Sequence, residues 1–226
     1  MISTGSLRVV ADDVGQSAAI DDGVAQLAKA GHLSAASVLV RARGAAAAMA
    51  ALADLVPLGV HVQLEPDELV GAASEQVTAL IVAQVERMLA AGHSPAHLDL
   101  HTSALYGLGP DAVRPGGVLT EAITVAARYR LRLRLPRRAP AGLDDQQAAL
   151  HARAVAAADA AGLLLPDVLV TEVPAADDVP AFLAALPDGE VELVTHPALR
   201  ADPGDRLGPE RVRQHALLAS GVLHAR

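Results

Sequence analysis

Leu7-Arg-Val-Val-Ala-Asp-Asp-Val-Gly15 is the stretch that decides how this chain folds. An apolar run of the kind that makes a buried parallel strand stops at two adjacent carboxylates, Asp12 and Asp13. A glycine follows, and then Ser17, which is suited to capping a helix. In α/β folds the carboxyl ends of parallel strands carry the chemistry. Neighbouring side chains on a strand point to opposite sides, so Asp12 and Asp13 are expected to do different work, one holding a metal and one handling a proton. The competing reading is structural: one of the two aspartates caps the helix that follows.

Outward from this stretch the same alternation recurs. Helices are expected over residues 17–30, 44–55, 74–91, from the loop at 107–117 to 129, and over 144–161, 177–186 and 209–220. Strands are expected over 36–40, 58–64, 96–101, 130–135, 167–171 and 190–196. The 130–135 segment alternates Arg and Leu, the period of a strand with one polar face. About seven strands separated by helices favour a parallel sheet with right-handed crossovers. No Gly-x-Gly-x-x-Gly follows the first strand, and polar residues recur at several strand ends. A closed or partly closed barrel therefore fits better than an open dinucleotide-binding sheet. No linker or internal repeat interrupts residues 1–226, which read as a single domain.

Composition narrows the chemistry. With 226 residues the chain can bury a full core. It has no cysteine, which excludes disulfides, zinc–thiolate sites and cysteine nucleophiles, so any metal must be held by His and carboxylate. A formal charge of −8 argues against nucleic acid and anionic membrane as partners. Residues 1–6 lack the basic and apolar segments of a signal peptide, and no apolar run reaches the ~20 residues needed to span a bilayer. A cytoplasmic protein is expected. The aromatic set is small, Tyr106, Tyr129 and Phe182. Rings that stack on ligands are therefore scarce.

The polar residues at or near expected strand ends are Asp12, Asp13, His61, His101, Arg134 and His196. Two histidines and a carboxylate make a three-ligand site with positions left open for water and substrate. A lone histidine is more often a core or surface residue; joint placement at successive strand ends singles these out. His93, His151, His215 and His224 fall in helices or at helix ends. His97-x-Asp99 shares the spacing of iron oxygenase sites, but those belong to all-β barrels and this chain alternates helix and strand. There is no His-Glu-x-x-His, no phosphate-cradling glycine loop and no Gly-x-Ser-x-Gly elbow.

Taken together, the motifs resemble those of the YdjC-like carbohydrate deacetylases of the ChbG and HpnK type. The family's opening Ala-Asp-Asp-Phe-Gly is matched by Ala11-Asp12-Asp13-Val14-Gly15, and its Gly-x-His-x-x-Leu by Gly59-Val60-His61-Val62-Gln63-Leu64. Its Thr-His-Leu-Asp-Ser-His is similar to Ala96-His97-Leu98-Asp99-Leu100-His101. A later Leu-Arg resembles Leu133-Arg134, and Cys-His-Pro resembles Thr195-His196-Pro197. The resemblance implies a distorted (β/α) barrel of the glycoside hydrolase/deacetylase kind with one divalent metal, Mg2+ or Zn2+. It implies Asp13, His61 and His101 as ligands, Asp12 as general base and His196 as proton donor or oxyanion partner. The implied reaction removes an N-acetyl group from a chitooligosaccharide-like or related amino sugar, and a homodimer is implied as well. Arg41, Arg134 and Tyr106 are the candidates for contacting a small-molecule or oligosaccharide substrate.

The chain departs from the family where Thr102-Ser103-Ala104-Leu105 replace further histidines after His101, where Val14 replaces Phe, and where Ser34-Ala35-Ala36 and Arg41 replace Thr-Ser-Thr and Asn. Two other readings stand beside deacetylation. One is a degenerate member that binds a metal or sugar-like ligand without turnover. The other is a hydrolase of a different acylated amine or of a phosphoester, to which Arg41 and Arg134 are suited.

Overall fold

The computed structural model describes residues 6–109 and 111–223. The leader reading of residues 1–5, Pro110 in its loop and the placement of His224 lie outside the described residues. The strands are β1 (Ser6–Val14), β2 (Ala35–Val38), β3 (Leu58–Val62), β4 (His97–Leu100), β5 (Arg132–Leu133), β6 (Val168–Val170) and β7 (Glu190–Thr195). The helices are α1 (Ala18–Lys29), α2 (Ala45–Leu52), α3 (Pro66–Leu69), α4 (Ser74–Ala90), α5 (Leu119–Tyr129), α6 (Asp145–Ala160), α7 (Val179–Ala184) and α8 (Gly208–Ala219). None of them is long and apolar enough to cross a membrane, among the described residues. The chain forms two compact units. The first joins Met1–Leu58 to Pro166–Arg226, and the second is Gly59–Leu165.

In the first unit β1 lies between β2 and β7, and β6 follows β7, all parallel. Leu7, Val9, Val10 and Ala11 are buried, as expected of a strand with neighbours on both edges and layers on both faces. Pairing with β7 runs in register from Ser6↔Glu190 to Ala11↔Thr195 and stops there. Pairing with β2 slips between Ala11 and Val14. Asp12 and Asp13 occupy that irregularity, and Asp13 has a left-handed backbone, φ 66°. Aspartate is among the few residues that tolerate this region. Simple strand alternation therefore does not govern the pair: a bulge re-aims the side chains. Gly15 (φ 95°) completes the turn, and a Cβ there would lie 2.9 Å from the Ala45 Cα.

α1 starts at Ser17, whose side chain accepts a hydrogen bond from the Ile20 N–H at 3.4 Å. The helix is capped by serine, so neither Asp12 nor Asp13 serves as its cap. Ile20, Val24 and Leu27 recur at helical spacing and are buried. Each such side chain contributes about 1.5–3 kcal/mol by leaving water.

In the second unit β4 lies between β3 and β5, again parallel. Val77, Ile81, Val85 and Met88 form the buried face of α4, which packs on α5, and α5 packs on α6. The register pairs Val60 with Leu98, His61 with Asp99, and Val62 with Leu100. That register explains Gly59: a Cβ there would run into the ring of buried His97.

Two expectations need correction. The 130–135 strand is only Arg132–Leu133, because Arg130 is the left-handed C-cap of α5 (φ 56°). Arg134 lies just past this short strand and is buried, 4% exposed. The 177–186 helix is a 3-10 turn at Ala176–Asp178 leading into the shorter α7. We predict that Gly59→Ala displaces His97 and lowers stability by about 1–3 kcal/mol, the usual cost of overpacking. Urea denaturation followed by circular dichroism measures it.

Candidate active site

In the second unit the site is organised by Asp99, which is fully buried. The β3–β4 register sets His61 opposite Asp99, and the His61 Nδ1–H donates to Asp99 Oδ1 at 2.5 Å. Asp99 Oδ2 takes the Arg134 guanidinium at 3.0 Å and lies 3.4 Å from His97 Nε2. Burial alone pushes the Asp99 carboxyl up. The charge of Arg134, with His61 and His97 hydrogen-bonded to the carboxylate, outweighs it and holds the group well below the ordinary value of 3.8. Asp99 is therefore a fixed anion.

The anion sets the tautomer of His61. With Nδ1 carrying the proton, Nε2 presents its lone pair, and it faces His101 Nδ1 at 3.1 Å. The two rings meet edge to face at 80°, centroids 4.9 Å apart. His101 stands just beyond β4 and is held by its own N–H to the Val62 carbonyl at 3.0 Å. Two imidazole nitrogens bound to one ion at about 2.0–2.1 Å sit roughly 3–3.4 Å apart. The observed separation fits that donor pair. A cavity of about 380 Å³ adjoins His101 and is lined by Gln63, Glu65, Leu69, Thr102 and Ser103 among others.

The substrate candidates of this unit are placed less simply. The Arg134 guanidinium is committed to Asp99. The Tyr106 hydroxyl accepts from the Leu100 N–H at 3.3 Å and donates to the Arg134 carbonyl at 3.0 Å. Tyr106 thus ties the end of β4 to the segment after β5.

In the first unit Asp12 and Asp13 are 2% and 3% exposed at the β1 bulge. Asp13 Oδ2 accepts from Arg211 Nη2 at 2.7 Å, and Arg211 Nε donates to Asp205 Oδ2 at 2.7 Å. His196 follows β7 and is half-buried, its backbone N–H bonded to Gln214 Oε1 at 2.7 Å. It lines a cavity of about 390 Å³ with Thr171, Glu172, Arg211 and Gln214. Arg41 is exposed in the turn after β2.

Sequence reasoning gave no role to Asp99 and did not single out Arg211. Asp99 could have been found from the β3–β4 register, which pairs it with His61. Arg211 shares a helical face with Gln214, Leu217 and Leu218, all buried. An arginine at such spacing was the one available signal.

The strands, helices and polar strand ends define an α/β protein of the distorted (β/α)-barrel class with seven parallel strands. The chain belongs to the YdjC-like protein family, whose model matches residues 6–225. No curated protein matches the chain. Among solved structures, it is similar to a protein from Enterococcus faecalis V583 whose name provisionally assigns it to cellobiose-phosphate cleavage. That protein is 18% identical with a TM-score of 0.74, over 98% of this chain and 93% of that one. An uncharacterized protein from Agrobacterium tumefaciens C58 is 11% identical with a TM-score of 0.52, over 86% of this chain and 78% of the other. A family 4 carbohydrate esterase from Streptomyces lividans, in complex with acetate, is 15% identical with a TM-score of 0.49, over 99% and 92%. Membership of the family supports a carbohydrate deacetylase.

Removing Asp99 leaves a buried guanidinium and an imidazole N–H without their anion. Asp99→Ala is expected to cost about 3–5 kcal/mol, whereas Tyr106→Phe, which deletes one hydroxyl, costs about 1 kcal/mol. Chemical denaturation of the two variants measures the contrast.

Proposed function

We propose that this chain is a metal-dependent deacetylase that hydrolyses the N-acetyl group of an amino sugar. The observation that carries the reading is the His61–His101 pair, with nitrogens 3.1 Å apart and His61 backed by the buried Asp99. That is the donor arrangement of a histidine metal site with its outer carboxylate. Buried aspartates of the kind that complete such a site are present at the end of β1.

In this reading Asp13, His61 and His101 hold one divalent ion, and Asp99 orients His61. Two imidazole donors favour Zn2+ or a similar ion over Mg2+, which prefers oxygen and water. When bound, the ion supplies Lewis acidity toward the acetyl oxygen and lowers the pKa of water. Asp12, the second carboxylate of the bulge, takes the proton of the attacking water. His196 gives a proton to the nitrogen of the leaving amine as the C–N bond breaks. The products are acetate and a free amino sugar. The His196 cavity carries Glu172, whose carboxylate suits the hydroxyls of a sugar.

We expect the chain, loaded with Zn2+, to release acetate from N-acetylated amino sugars. Chelation should abolish release, and added Zn2+ should restore it. Asp12→Asn should lower kcat by about 10²–10⁴-fold, the usual worth of a positioned general base, while Zn2+ binding survives. Acetate release unchanged in Asp12→Asn would remove that residue as the base. No release with any divalent ion would favour a binding protein without turnover.

A further inference from the structure

We propose that Arg211, on the last helix, is a positioning residue for Asp13 and sets how tightly the first unit's carboxylate holds a divalent ion. The inference rests on the reading of Asp13 as a metal ligand given above.

The geometry is that of a relay. The guanidinium spends two different nitrogens on two carboxylates: Nη2 donates to Asp13 Oδ2 and Nε to Asp205 Oδ2, both at 2.7 Å. The Arg211 and Asp13 side chains are each 4% exposed, and Asp205 is 20% exposed. Both ends of the relay are anchored. The Arg211 N–H donates to the Leu207 carbonyl at 2.8 Å, and the Arg211 carbonyl accepts from the Ala198 N–H at 3.2 Å. Asp205 is locked by the Leu207 N–H on its Oδ1 at 2.9 Å and by its own N–H to the Asp202 carbonyl at 3.2 Å. The guanidinium is aimed by its backbone, not draped over a surface.

Two consequences follow for Asp13. Its backbone is left-handed at a bulge, where the side-chain direction is not fixed by a strand ladder, so Arg211 supplies the missing restraint. With Oδ2 held by Arg211, the guanidinium sets the orientation in which the carboxylate would meet a cation. A lysine could supply the charge but not the planar fork that reaches Asp13 and Asp205 together.

The test uses the full chain stripped of metal, titrated with Zn2+ by calorimetry and with Co2+ by its visible absorption spectrum, with melting temperature recorded for each variant. Arg211→Gln should weaken Zn2+ binding about 10–100-fold, the range for residues that orient metal ligands, and should alter the Co2+ spectrum. Arg211→Lys should recover part of the loss, and Asp205→Asn, which leaves the Arg211–Asp13 pair in place, should weaken binding less than Arg211→Gln does. Should Arg211→Gln fail to fold, Arg211→Lys and Asp205→Asn carry the same comparison. Wild-type Zn2+ affinity and Co2+ spectrum in the Arg211 variants, with only the melting temperature lowered, would make Arg211 a structural latch and overturn the proposal. Asp13→Asn separates the two ideas. If it leaves Zn2+ affinity unchanged, the ligand assignment itself falls. If it abolishes binding while the Arg211 and Asp205 variants bind normally, only the positioning role falls.

Discussion

A single buried negative charge governs the second unit. Asp99 is taken fully out of water and surrounded by Arg134, His61 and His97. A carboxylate in that position is costly unless its partners are held in place, because desolvation competes with every favourable contact. Once they are held, the same charge organises its neighbours. It fixes the proton of His61 on Nδ1, turns Nε2 toward His101, and holds the Arg134 guanidinium at 3.0 Å. The first unit repeats the device with opposite sign at its centre: the buried Arg211 cation gathers Asp13 and Asp205. In each unit one residue proposed to touch a metal is backed by a buried charged partner, His61 by Asp99 and Asp13 by Arg211.

Backbone irregularity does the complementary work. A regular parallel strand would present Asp12 and Asp13 to opposite faces. The slip between Ala11 and Val14, the end of pairing with β7 at Ala11 and the left-handed Asp13 break that rule where two carboxylates must act near each other. Small residues let the chain close in around such places. Ala45 approaches Gly15, and the His97 ring occupies the space that Gly59 leaves. The abundance of alanine in the sequence fits helices packed with little side-chain volume, so polar strand ends, not bulky side chains, give the protein its character.

Much of this was legible in the sequence. The apolar run before Asp12, the serine cap at Ser17 and the strand–helix alternation each depend on local spacing, and local spacing survives folding. The family motifs at residues 11–15, 59–64 and 96–101 lie at the ends of β1, β3 and β4. What was not legible depended on pairing between distant segments. The bulge at Asp12 and Asp13 requires knowing where β2 and β7 lie. The role of Asp99 requires the β3–β4 register, and that of Arg211 requires α8 to be brought beside β1. The Arg/Leu alternation of 130–135 predicts a longer strand with one polar face. In the structure Arg130 caps a helix and Arg134 is drawn inward by a buried anion, an interaction that no periodicity reveals.

The central claim is that His61 and His101 are metal ligands held ready by Asp99. Crystals grown with Zn2+ and measured at its absorption edge test it most directly. The account predicts one anomalous peak within about 2.0–2.1 Å of His61 Nε2 and His101 Nδ1, with Asp99 still bonded to His61 Nδ1. A peak elsewhere, with the two histidines still bonded to each other, would contradict it.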